Sequence, residues 1–243
     1  HVHAVRAAQA RRVGSVVDDD EGDLLVRGLA DRAGGVEQPA ARRVLGPHLN
    51  AAGRLETAQL SLDLLTATDP EQALAIAYQL HDMNIARRTE QDRIVKEAIV
   101  QADQFADHPV LVLSGSTWSH GIIGIVAAKM LERYAKPTFV LQEMGEESKG
   151  SARSYGDFSA VEGIKAVESW LTRGGGHKLA AGVTLPTKNI PQFREAINDF
   201  YRSLKLVDQI HHLQPTADAA IDDFIHVDKQ LLEELKQLEP YGN

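Results

Sequence analysis

The sequence predicts an α/β protein in which a long helix leads into a sheet with helices packed against it. Three features carry that prediction. A helical stretch, one long helix or two nearly continuous ones, runs unbroken from Asp69 until Asp107, and apolar strand-like runs alternate with helical ones from Pro109 to Leu204. Glycines gather where strands would meet helices or turns. With 243 residues the chain can bury a sizeable core and form two compact units.

Residues 1–45 are rich in Arg, Ala, Gly, Val and Asp and show no clean period. No aromatic residue precedes Tyr78 and no lysine precedes Lys96, so this stretch is expected to be weakly ordered, or to pack only against sequence outside the chain. "ETAQLSLDLL" (Glu56–Leu65) reads as a short amphipathic helix. Asp69 is the expected N-cap of the long helix, with Pro70 at its first position. "PVLVLSG" (Pro109–Gly115) is a buried strand and "GIIGIVAAKMLERYA" (Gly121–Ala135) a helix opened by glycine. "KPTFVLQE" and "KGSARSY" are further strands, "SAVEGIKAVESWL" (Ser159–Leu171) is a helix, and "AAGVTLP" is a strand. Ile190, Phe193, Ile197, Tyr201 and Leu204 mark an amphipathic helix. A last helix is expected in "VDKQLLEELKQL", before "EPYGN".

Composition narrows the function. The chain is 43% hydrophobic and 25% charged, ordinary for a soluble globular protein. No apolar run approaches membrane-spanning length and no signal-peptide pattern occurs, so no membrane role is expected. The absence of cysteine excludes a disulfide framework and thiolate metal sites, and fits the cytoplasm. A net charge of −8 argues against a general nucleic-acid coat protein. From Lys129 to Lys178, however, eight Lys/Arg stand against seven Asp/Glu, and local potential is what phosphate binding needs. Because the first residue is His1, the chain is expected to be a piece of something longer.

Three motifs point to an anion. "GSTWSHGIIGIVAAK" puts Trp118 and His120 at a strand-to-helix junction, where uncapped N–H groups favour negative charge and an exposed Trp would stack on a base or ribose. The structural alternative is a core Trp118, with Gly121 and Gly124 permitting close packing. In "KGSARS", strand alternation puts Ser151 and Arg153 on one face, a hydroxyl beside a guanidinium fork. The alternative is a solvated strand edge. "GGGHKLAAG" sets Gly174, Gly175 and Gly176 before His177, either as a loop cradling an anion or as a tight turn into a buried strand. Upstream, "LGPHLNAAGRLE" offers Asn50 and Arg54 beside an expected helix start, as a capped turn or a second phosphate grip. The carboxylates Asp18–Asp20 suit a solvated turn better than a metal site.

Taken together, "GPHLNAAGRL", "WSHGIIGIVAAKMLERYAKPTFVL", "KGSARS" and "GGGHKLAAGVTL" resemble, in order and spacing, the RecJ family of the DHH phosphoesterase superfamily. The resemblance covers Leu45 to Asn243 and implies a single-strand-specific 5′-to-3′ exonuclease of DNA repair and recombination. It divides the chain into a remnant of the DHH catalytic domain (1–45), the NAAGR motif with the connecting helix (46–108), the DHH-associated nucleic-acid-binding domain (109–206) and the start of an OB-fold (207–243). It implies two Mn²⁺ or Mg²⁺ ions held by aspartates and histidines, but no Asp-His-His occurs here. Most ligands are therefore expected N-terminal to His1, and only Asp18 is a candidate for a catalytic, metal-holding role. Single-stranded DNA is the implied partner, with a single-strand-binding protein and a helicase as further candidates and a monomer expected. The competing readings are another phosphodiesterase of the superfamily, acting on oligoribonucleotides or cyclic dinucleotides, and a non-catalytic nucleic-acid-binding module.

Overall fold

The structure, a computed structural model, describes residues 39–55, 57–206 and 227–237. Asp18, the aspartate cluster and the expected OB-fold opening at 207–226 and 238–243 lie outside the described residues. The chain divides into two compact units, the second of them Ile85–Glu233, and a helix at Lys229–Lys236 straddles its C-terminal boundary.

In the first unit, helix α1 (Pro39–Leu55) is followed by α2 (Gln59–Thr66) and the first half of α3 (Pro70–Gln104). Ala52, Leu64, Ile76, Ala77 and Leu80 form its small core. The Ser61 hydroxyl donates to the Leu49 carbonyl at 2.6 Å, tying α2 to α1. Asp69 caps α3 as expected, its carboxylate accepting from the N–H groups of Glu71 and Gln72 at 3.3 Å. The NAAGR motif is not a turn beside a helix start. It lies inside α1, because nothing from Gly46 to Leu55 breaks the helix and even Pro47 is accommodated within it.

The second unit is built on a five-stranded sheet: β1 (Leu111–Gly115), β2 (Thr138–Met144), β3 (Glu147–Arg153), β4 (Arg173–Gly176) and β5 (Ala180–Pro186), in the order β1-β2-β3-β5-β4. Only β1 and β2 are parallel, joined by helix α4 (His120–Tyr134), and the other pairs are antiparallel. Alternation assigns the two faces. Val112, Phe139, Leu141, Ala152, Val183 and Leu185 turn towards α5 (Ala160–Ala166) and α6 (Ile190–Ser203), where Phe193 meets Phe139 edge-on at 5.4 Å. Helix α4 packs on β2 and β3 from the other side. A short α7 (Lys229–Lys236) accounts for the last expected helix. The glycine cluster is the main departure from the sequence reading: Arg173–Gly176 is a strand, not a loop.

Strand β1 lies at one edge of the sheet, and side chains replace a missing neighbour along it. Asn198 of α6 accepts from the Val110 N–H at 2.9 Å and donates to the Val110 carbonyl at 3.0 Å. Arg194 donates through Nε to the Val112 carbonyl at 3.0 Å. Gln101 of α3 accepts from the Ser114 N–H at 2.7 Å and donates to its carbonyl at 3.0 Å. Residues 110, 112 and 114 point the same way along a strand, so three side chains close the edge that would otherwise recruit another chain.

Candidate nucleic-acid interface

Cross-strand register assembles the candidate site in rows. Lys149 pairs with Thr184, and Thr184 with Arg173. Two residues along, Ser151 pairs with Gly182, and Gly182 with Gly175. In the third row Arg153 pairs with Ala180. These residues share the face opposite the α5–α6 core. Helix α4 covers only the β2–β3 part of it, which leaves a groove above β5 and β4. Lys149, Thr184, Arg173, Gly182, Gly175 and, at the start of α4, His120 line this groove, and among the described residues no acidic residue does.

The glycines have different reasons to be glycine. A Cβ on Gly174 would stand 2.5 Å from the Ile164 side chain, so packing on α5 forbids it. Gly176 has φ +146 and sits 2.5 Å, by the same measure, from the Ala181 backbone, so neither its conformation nor its space admits a side chain. Gly175 is different: a Cβ there would meet nothing within 4 Å. Gly174 thus serves the packing on α5, Gly176 the hairpin, and Gly175 leaves the groove floor bare.

Ser151 and Arg153 lie beside that floor, under the first turns of α4. A Cβ on Gly124 would come within 3.2 Å of Arg153 Nη2 and 3.4 Å of Ser151 Oγ. Arg153 is half-buried and donates to its neighbour Ala152's carbonyl at 2.8 Å, with no carboxylate partner among the described residues. A partly desolvated guanidinium without a counter-ion, next to a hydroxyl, is suited to an anion. His177 is exposed and begins the turn joining β4 to β5, its N–H donating to the Ala180 carbonyl at 2.7 Å. Its side chain does not line the groove.

Trp118 does not present a stacking surface. It is 2% exposed, lies against Gly115 and donates through Nε1 to Glu97 Oε2 at 2.7 Å. Arg93 binds Glu97 at 2.6 Å and Glu90 at 2.7 Å, and reaches the Thr117 carbonyl at 3.0 Å. The Trp118 hydrogen bond, followed by Arg93, holds the Glu97 carboxyl below its ordinary range. Trp118 is therefore the plug that anchors the β1–α4 loop to α3 and sets His120 at the groove. The Glu90-Arg93-Glu97 spacing on one helix face is the signal that could have revealed this network. Lys149 was legible only as a strand residue and Arg173 only as the residue before the glycine run, until register put them in one row.

Asn50 and Arg54, four residues apart, are exposed on one face of α1 in the other unit. Among the described residues no three His, Asp or Glu side chains are grouped as a metal ion would require. The described part therefore does not fit the implied ions.

The match of residues 107–203 to the DHHA1 domain family coincides with the unit that holds the sheet and groove. The segment is a DHHA1 domain, and the chain is a relative of RecJ. It is 31% identical to the single-stranded-DNA-specific exonuclease RecJ of Bacillus subtilis over 203 residues, which are 82% of this chain and 25% of that protein. RecJ of Thermus thermophilus in complex with Mn²⁺ superposes with a TM-score of 0.72 at 32% identity, over 84% of this chain and 30% of that one. The Mg²⁺ complex gives 0.71 at 31% identity, over 90% and 34%. The chain thus spans about a quarter to a third of the length of these relatives. In the DHHA1 domain the KGSARS and GGGH motifs occupy adjoining parts of one sheet face, with β5 between them.

Proposed function

We propose that the DHHA1 domain grips the sugar-phosphate backbone of single-stranded nucleic acid, and that it serves a metal-dependent exonuclease acting on single-stranded DNA from the 5′ end. The observation that carries this is the pairing of half-buried, carboxylate-free Arg153 with Ser151, beside a glycine-floored groove whose lining, among the described residues, contains no acid. In a chain of net charge −8, such a surface favours a polyanion locally against the overall field. Arg153 and Ser151 would hold one phosphate, while the groove floor admits the backbone without steric cost. His177 would add a donor, or a charge when protonated, at the hairpin end. Hydrolysis would belong to a DHH catalytic domain, in which Asp18 would be one of the residues holding the metal ions that would supply Lewis acidity. Action in DNA repair and recombination, and an OB-fold opening at 207–243, belong to the same proposal.

Binding of a 5′-phosphorylated, 3′-fluorescein-labelled oligothymidylate, followed by anisotropy, tests the grip. Arg153→Ala and His177→Ala should each weaken binding about ten- to a hundredfold, as expected for a lost charge-assisted bond. Unchanged affinity in both variants would overturn the assignment.

A further inference from the structure

Lys149, Thr184 and Arg173 form a row of their own beside the Ser151–Arg153 pair. Lys149 and Arg173 reach the same groove from β3 and β4, with the Thr184 hydroxyl between them on β5. Among the described residues neither cation has an ion pair or a side-chain hydrogen bond, although the chain carries 34 acidic side chains. Two cations lining one groove, with no acid in its lining among the described residues, repel one another unless an anion joins them.

The spacing says which anion. Rows on one face of a sheet repeat every second residue, about 7 Å along the strand. That distance is within the reach of one extended nucleotide, phosphate to phosphate. The next row is Ser151, Gly182 and Gly175, so Ser151 of the grip lies one such step from the Lys149 row. A Cβ on Gly175 would meet nothing within 4 Å, and one on Gly182 only the Gly150 carbonyl at 3.7 Å. Neither packing nor a left-handed backbone calls for glycine at these two places, so the open floor beside Ser151 is itself the feature, and it leaves room for a sugar-phosphate backbone.

We infer that Lys149, Thr184 and Arg173 are a second phosphate seat, holding the neighbouring phosphodiester of the same strand whose other phosphate lies at Ser151 and Arg153. This rests on the proposed backbone grip and adds to it a register of one nucleotide per pair of strand residues. The seat is blind to base identity, since it touches only phosphate and sugar.

The test uses the 243-residue chain and oligothymidylates carrying a single uncharged methylphosphonate at each linkage in turn. For the native chain, one linkage near the gripped phosphate should be sensitive, and its neutralisation should cost about tenfold in affinity. In the Lys149→Ala/Arg173→Ala double variant the same substitution should cost nothing further. The slope of log K against log salt should fall in size by about 0.7, one phosphate's worth for a single strand. Thr184→Val, which keeps the shape, should weaken binding without changing the slope. If the native chain binds and Arg153→Ala weakens it, while the double variant keeps the native slope and methylphosphonate profile, the second seat is wrong and the grip stands. If the native chain binds no oligonucleotide, both fall.

Discussion

Glu97 is a half-exposed carboxylate that accepts from Trp118 Nε1 and is clasped by Arg93. Its folded-state pKa lies below its ordinary value of 4.5. A depressed carboxyl stabilises the folded state above its unfolded pKa and loses that contribution as pH falls through the folded value. Glu97→Gln should therefore lower unfolding free energy at pH 7 by up to about 1 kcal/mol, the range for an exposed pair. The deficit should shrink as the native chain is titrated below pH 4.5, and urea denaturation at several pH values reads it. A constant difference across that range would mean that the carboxylate's charge is not what holds Trp118. At this scale the sequence was ambiguous for a physical reason. Trp118 beside a helix start is equally compatible with a stacking ring and a buried plug, and only its partner, 21 residues upstream on α3, distinguishes them.

At the scale of elements, the two edges of the sheet are treated differently. β1 is closed by Asn198, Arg194 and Gln101, whereas β4 is short, exposed and glycine-rich. Asn198 is fully buried, so Asn198→Leu leaves the Val110 N–H and carbonyl unsatisfied. That should cost about 2–4 kcal/mol, measured as a lowered urea midpoint. Gln101→Ala, nearer to solvent, should cost about 1 kcal/mol because water can replace the amide. Equal effects at the two positions would contradict this account of the edge. Most elements were legible because their periodicity is strong: α3 with its Asp69–Pro70 start, α4, β2, β3, β5 and α6. β4 was not, because three glycines in a row have no side-chain period, and they become a strand only by pairing with β5.

For the molecule as a whole, the proposed binding belongs to the groove, and among the described residues no group of His, Asp or Glu accompanies it that could hold a metal ion. Two-metal chemistry needs several anionic or imidazole ligands converging around ions about 3.5–4 Å apart. The sequence contains no Asp-His-His, and the only catalytic-domain ligand proposed is Asp18. The 243-residue chain should therefore bind a single strand weakly and in a salt-sensitive manner, and leave a 5′-labelled oligonucleotide intact with Mn²⁺ or Mg²⁺. Release of labelled mononucleotide, abolished by Asp18→Ala, would require a metal site within this chain.

Sequence alone determined the helix-and-strand order of the DHHA1 segment, the motifs that mark it and the charged residues available for phosphate, because these follow from local period and residue chemistry. Tertiary structure decided which of those residues meet. It withdrew Trp118 into the helix–sheet contact and turned the glycine run into an edge strand. It also brought Lys149, Thr184 and Arg173 from three strands into one row. Such a row is set by antiparallel register, which pairs residues as far apart as 149 and 184, and no local pattern in the sequence encodes that pairing.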